Sequence, residues 1–167
     1  MKKQLTLKSY MLEKCLIGYG IINGIINALI FYAMEKGHPD MMFETFDILA
    51  DIGATTFILG IILMYCVVPL TKMDMNKKFT VPQNVNNKIA SMLPDKKILM
   101  ALSIGLITMV ITVAICAVIS MILPLPLNVK QMGIFKGLAC SVAGGIAGYL
   151  TISKTVFSTG NITKKSA

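Results

Sequence analysis

Two residues of opposite charge fall inside long apolar segments of this sequence, Asp51 and Lys136. An ionised side chain costs about 2.5–3.5 kcal/mol at the centre of a membrane helix and less near an interface. Such a residue therefore needs a partner, water or a ligand. A carboxylate in that setting can take up a proton or a cation, and a lysine at similar depth can act as its counter-charge. Asn23, Asn27 and Thr55 occupy further polar positions in the apolar segments and could line a path to the pair. These five residues form the candidate ion- or ligand-binding set.

Catalysis finds little to work with. There is no phosphate-binding G-x-x-x-x-G-K, no H-E-x-x-H and no G-x-S-x-G. His38 is the only histidine and lies in a connecting segment, so no Ser–His or Cys–His couple can form inside the apolar segments. Cys15, Cys66, Cys116 and Cys140 include no C-x-x-C, and a structural zinc site needs clustered Cys and His. The four thiols are expected to be buried and unpaired, packing as small hydrophobes. An enzyme is not expected, nor is any metal or cofactor.

The elements that must position these residues follow from composition. Of 167 residues, 55% are hydrophobic and 14% charged, against about 25% charged in soluble domains. About 20 mostly apolar residues cross a hydrocarbon core of about 30 Å. Four segments qualify, at 15–34, 48–70, 98–123 and 132–153. The expected fold is an all-α membrane protein, a four-transmembrane-helix bundle forming one integral membrane domain over 1–167. The first segment is long for a signal-peptide core and no A-x-A site follows, so a retained helix is expected.

Every basic residue is a lysine, and the lysines flank the apolar segments. That distribution suits membrane orientation and anionic headgroups; nucleic-acid binding, which favours Arg forks on one face, is not expected. Lys2, Lys3, Lys8, Lys14, Lys72, Lys77, Lys78, Lys88, Lys96, Lys97, Lys154, Lys164 and Lys165 lie on one side, Lys36 and Lys130 on the other. The positive-inside rule then places both termini and the 71–97 loop in the cytoplasm, in a multi-pass protein of the inner (plasma) membrane. In that loop Val85, Ile89, Met92 and Leu93 recur at helical spacing between Pro82 and Pro94. This admits two readings, a short amphipathic helix on the inner leaflet with Lys88 at the headgroups, or a polar linker with incidental apolar residues.

At 100° per residue each helix presents one polar, small-residue face. The faces are Gly20, Asn23, Gly24, Asn27 and Ala28; Gly105, Thr108, Thr112, Cys116 and Ser120; and Gly133, Lys136, Gly137, Cys140, Ser141, Gly144, Ala147 and Gly148. In the second segment Glu44, Asp47, Asp51, Thr55, Ile58, Ile62 and Tyr65 align, with Glu44 and Asp47 expected as helix-end residues. Such faces serve helix packing in membranes, through close backbones and interhelical hydrogen bonds. They also allow an outward-facing polar recess closed toward the cytoplasm. Two functions remain open: a small transporter or channel subunit for a cation, proton or small solute, or a non-transporting accessory protein that binds a partner membrane protein or lipid. Four helices enclose little volume, so a homodimer would help to build a route.

Overall fold

A computed structural model of the protein describes residues 5–75, 77–79 and 87–165. It is all-helical apart from two short strands, and four helices are long and apolar enough to cross a membrane. They are α1 (Leu7–Glu35), α2 (Thr45–Asp74), α4 (Lys97–Ser120) and α5 (Val129–Lys165); α3 (Lys88–Met92) is a single short turn before α4. The strands β1 (Met42–Phe43) and β2 (Leu127–Asn128) pair antiparallel and join the α1–α2 and α4–α5 connections.

Three of the long helices exceed the apolar segments of the sequence. At about 1.5 Å per residue, a helix outruns the roughly 30 Å of hydrocarbon after 20 residues. Capping carries it further. The Thr6 hydroxyl accepts from the Ser9 N–H and starts α1 well before residue 15. Glu44 and Asp47 form a reciprocal capping box at the head of α2, the helix-end role expected for them. Asn128 and Gln131 do the same for α5, each side chain accepting from the other's backbone N–H. Instead α4 ends three residues early, at Ser120, ahead of Pro124 and Pro126.

Packing is uneven. Helices α2, α4 and α5 contact one another, whereas α1 lies outboard along α5. Two close approaches set the geometry. A Cβ on Gly60 would stand 2.8 Å from the Gly105 Cα, so α2 and α4 meet backbone to backbone. On the α1–α5 seam, a Cβ on Gly24 would meet the Gly137 carbonyl at 2.5 Å, and one on Gly144 would run into the Tyr19 carbonyl. Within α1, Lys14–Ile21 adopts the wider π-helical winding, and Tyr19 from this stretch is buried against Gly148.

At the lysine-rich end the connecting segments pack into the bundle. Tyr10 and Phe79 stack with ring centroids 4.4 Å apart, both almost fully buried. The Tyr10 hydroxyl donates to Asp74 at 3.0 Å, and Asp74 pairs with Lys78 at 2.8 Å. In α3, Ala90 is buried while Ile89 and Met92 are exposed; Leu93, just beyond it, is buried. Val85, the other apolar position of that loop, lies outside the described residues.

Candidate functional site

Asp51 and Lys136 meet. The Lys136 ammonium lies 2.8 Å from Asp51 Oδ1 and 2.7 Å from Oδ2. It also sits 5.0 Å from the centroid of the Phe31 ring on α1. Three helices thus converge on one cation. The pair is asymmetric: the Lys136 side chain is 11% exposed and that of Asp51 37%. Asp51 is the more exposed partner, although its Oδ2 is itself buried, and the ammonium is held in the packing.

The other candidates are placed differently. The Asn23 amide donates to the Tyr19 carbonyl at 2.8 Å and the Asn27 amide to the Asn23 carbonyl at 2.9 Å. Both bonds run along α1 itself, and both residues are half-buried on the side that meets α5. Thr55 is half-buried one turn along α2 from Asp51, and its neighbour Thr56 is the threonine that reaches the core.

The α2 face inferred from Asp51 needs correction. Ile58, Ile62 and Tyr65 share that face but are about half exposed. The buried arc runs instead through Ile48, Ile52, Thr56, Leu59, Leu63 and Val67. The cause is the close approach at Gly60, with Gly53 against Val113, which turns α2 so that Asp51 sits on the flank of its packed face. Cys66 is likewise exposed, unlike Cys116 and Cys140; Cys15 is half-buried.

On α4 the polar face is buried as expected: Gly105, Thr108, Thr112, Cys116 and Ser120. Its hydroxyls behave unusually. Thr56, Thr151 and Thr155 each donate to a carbonyl four residues back, as threonines in apolar helices ordinarily do. Among the described residues Thr108, Thr112 and Ser120 have no hydrogen-bond partner, and the buried hydroxyls of Thr71 on α2 and Ser153 on α5 share that condition. An unsatisfied buried hydroxyl costs about 1–3 kcal/mol. The three span about 18 Å along α4. Gly53 of α2 packs at Val113, so Thr112 stands at nearly the depth of Asp51.

One buried charge escaped the sequence reading. Lys154, counted among the flanking lysines, is 3% exposed. Its ammonium donates to the Leu93 carbonyl at 2.6 Å and pairs with Asp95 at 2.8 Å. The signal was present: Lys154 follows Lys136 by eighteen residues, about five helical turns, and so repeats its face. It was hidden because α5 was expected to end at residue 153.

Four helices long and apolar enough to cross a membrane make this a multi-pass helical protein, with the Asp51–Lys136 ion pair inside the bundle near the lysine-poor end. Comparison with protein families, with curated proteins and with solved structures finds no match to this chain.

Proposed function

We propose that the protein is a small transporter or channel subunit of the plasma membrane, with both termini cytoplasmic and a cation or proton as the species handled. One observation carries this reading: a partly exposed aspartate, Asp51, paired with a buried ammonium, Lys136, with the unpartnered buried hydroxyl of Thr112 at nearly the same depth. A proton or cation arriving at Asp51 competes with Lys136 for the carboxylate. Releasing Lys136 leaves a charge that the apolar surroundings disfavour, so occupancy of Asp51 is coupled to a rearrangement of α5 against α2. Thr112, with Thr108 and Ser120 on either side, offers the oxygen ligands or water contacts that a route requires. At the lysine-rich end Tyr10, Phe79 and Leu93 are buried, which supports a route open from the opposite end and closed on that side.

The test uses a variant without the four native cysteines and a single Cys at Thr112, in intact cells treated with a membrane-impermeant thiol reagent. Labelling from outside, with an ion or proton flux in proteoliposomes that Asp51→Asn abolishes, is the expected result. An unlabelled Thr112→Cys in a folded protein, with no flux above protein-free vesicles, overturns the reading.

The outboard position of α1 favours a second reading. Ile25 and Leu29, one turn apart on α1, are exposed apolar side chains that a partner membrane helix could cover. An accessory protein of this kind would yield a stable co-purifying partner and be indifferent to Asp51→Asn.

A further inference from the structure

Along the lysine-rich half of the α1–α5 seam runs a groove of about 710 Å³. Its α1 wall includes Lys8, Leu12 and Leu16, and its α5 wall includes Val142, Ile146 and Tyr149. Three features distinguish it from the general lipid-facing surface. It is concave, because Gly20 and Gly145 contribute no side chain to its floor and the π-wound stretch of α1 forms much of one wall. It is directional, because α1 and α5 run antiparallel: Gly20 meets Ser141, so Tyr149 lies toward the same end as Lys8. It is also one leaflet deep. Lys8 to Ile21 spans roughly 18–20 Å of helix, against about 15 Å for half of the hydrocarbon core plus a headgroup margin.

The chemistry along that length is graded. The inner part is aliphatic, and the end at headgroup level carries an ammonium and a phenol. Lysine and tyrosine are the side chains that anchor at membrane interfaces, and an exposed lysine there attracts anionic headgroups. Among the described residues Lys8 has no carboxylate partner, unlike Lys78, Lys136 and Lys154.

We infer that the groove between α1 and α5 is a binding site for one phospholipid of the lysine-side leaflet, an acyl chain lying along Leu12, Leu16, Val142 and Ile146 and an anionic phosphate headgroup at Lys8. The site stands apart from Asp51 and Lys136, and its occupancy does not depend on transport. A bound lipid would complete the surface where α1 leaves α5 uncovered and hold the outboard helix in place.

Native mass spectrometry of the purified full chain in mild detergent, supplied with phosphatidylglycerol or phosphatidylcholine, tests this. The wild type is expected to retain one phosphatidylglycerol per chain, with about fivefold preference over phosphatidylcholine, the size of one lysine–anionic-lipid contact. Lys8→Gln should reduce that preference to about one. Val142→Trp, which fills the groove from its exposed side, should abolish retention while leaving thermal unfolding in lipid-free detergent unchanged. Leu16→Trp fills it from the opposite wall and decides the matter should Val142→Trp fail to fold. Equal retention of both lipids, undiminished retention in a folded groove-filling variant, or a second chain seated in place of lipid would each overturn the proposal.

Discussion

Lys154 and Asp95 join the last helix to the segment that leads into α4, across an ion pair of 2.8 Å in which the lysine is buried and the aspartate 92% exposed. The buried partner has a second tie, to the Leu93 carbonyl. Losing the two ends should therefore have unequal effects. Lys154→Met leaves that carbonyl unpaired in a buried setting and should destabilise the protein by about 1–3 kcal/mol. Asp95→Asn should cost little at neutral pH. Thermal unfolding of the two variants in one detergent checks the order.

The same contact predicts an acid response. The hydrogen bond from Lys154, and then its charge, holds the Asp95 carboxyl below the ordinary carboxylate range. The folded protein thus binds this proton less readily than the unfolded chain. Its contribution is complete above about pH 4, the ordinary aspartate value, and is lost as pH falls below it. The hydrogen-exchange protection of the Leu93 and Asp95 amides, corrected for the intrinsic slowing of exchange in acid, should fall on acidification toward pH 3, and Asp95→Asn should flatten that fall.

Asp51 and Lys136 should behave as a unit. Removing either leaves the other charge without its partner, whereas removing both does not. Unfolding of Asp51→Asn, Lys136→Met and the double variant should give a coupling energy of about 0.5–3 kcal/mol. The partial exposure of Asp51 favours the lower part of that range. Additive losses would show that the pair contributes no mutual stabilisation.

Thr112→Val exchanges a buried hydroxyl without a protein partner for a methyl group of the same shape. Stability should be unchanged or higher, because the group replaced has no hydrogen bond to lose. Thr56→Val, which removes a bond to the Ile52 carbonyl, should not be stabilising. Should Thr112→Val raise stability while lowering flux, the hydroxyl is retained for passage and not for folding.

Glycine replacement separates packing from backbone freedom. No described glycine has positive φ, so their value lies in close approach. Gly144→Ala would drive a methyl into the Tyr19 carbonyl and should cost about 1–3 kcal/mol. Nothing lies within 4 Å of a Cβ on Gly37, and alanine there should be tolerated. Equal melting temperatures for the two variants would contradict the tight α1–α5 seam.

Much of this architecture was legible because membrane helices write their faces in small residues. The α4 stripe from Gly105 to Ser120 and the α1 face around Gly20 and Gly24 both lie where 100° periodicity puts them. Similar depth and opposite charge made Asp51 and Lys136 candidate partners in the sequence, and their contact is a finding of the structure. The α2 face was misjudged because polarity and packing diverge there: glycines 53 and 60 set the rotation, while the acidic residues sit on the flank. The asparagines gave a polar signal that local bonds to their own helix absorb. Lys154 was hidden by helix length, and the β1–β2 pairing by its brevity, two residues on each side.

The convergence on α5 has a consequence for biosynthesis. Helix α1 packs along α5, α2 finds its counter-charge there, and the segment before α4 is tied to it through Lys154. A helix made after α1, α2 and α4 is the one that all three need. A nascent chain that has emerged only as far as Ser120 carries Asp51 without Lys136 and α1 without a seam to rest on. Helices α2 and α4 can already meet at Gly60 and Gly105, but α1 must wait in the bilayer unseated and Asp51 unpaired until α5 inserts beside them and the bundle closes around it.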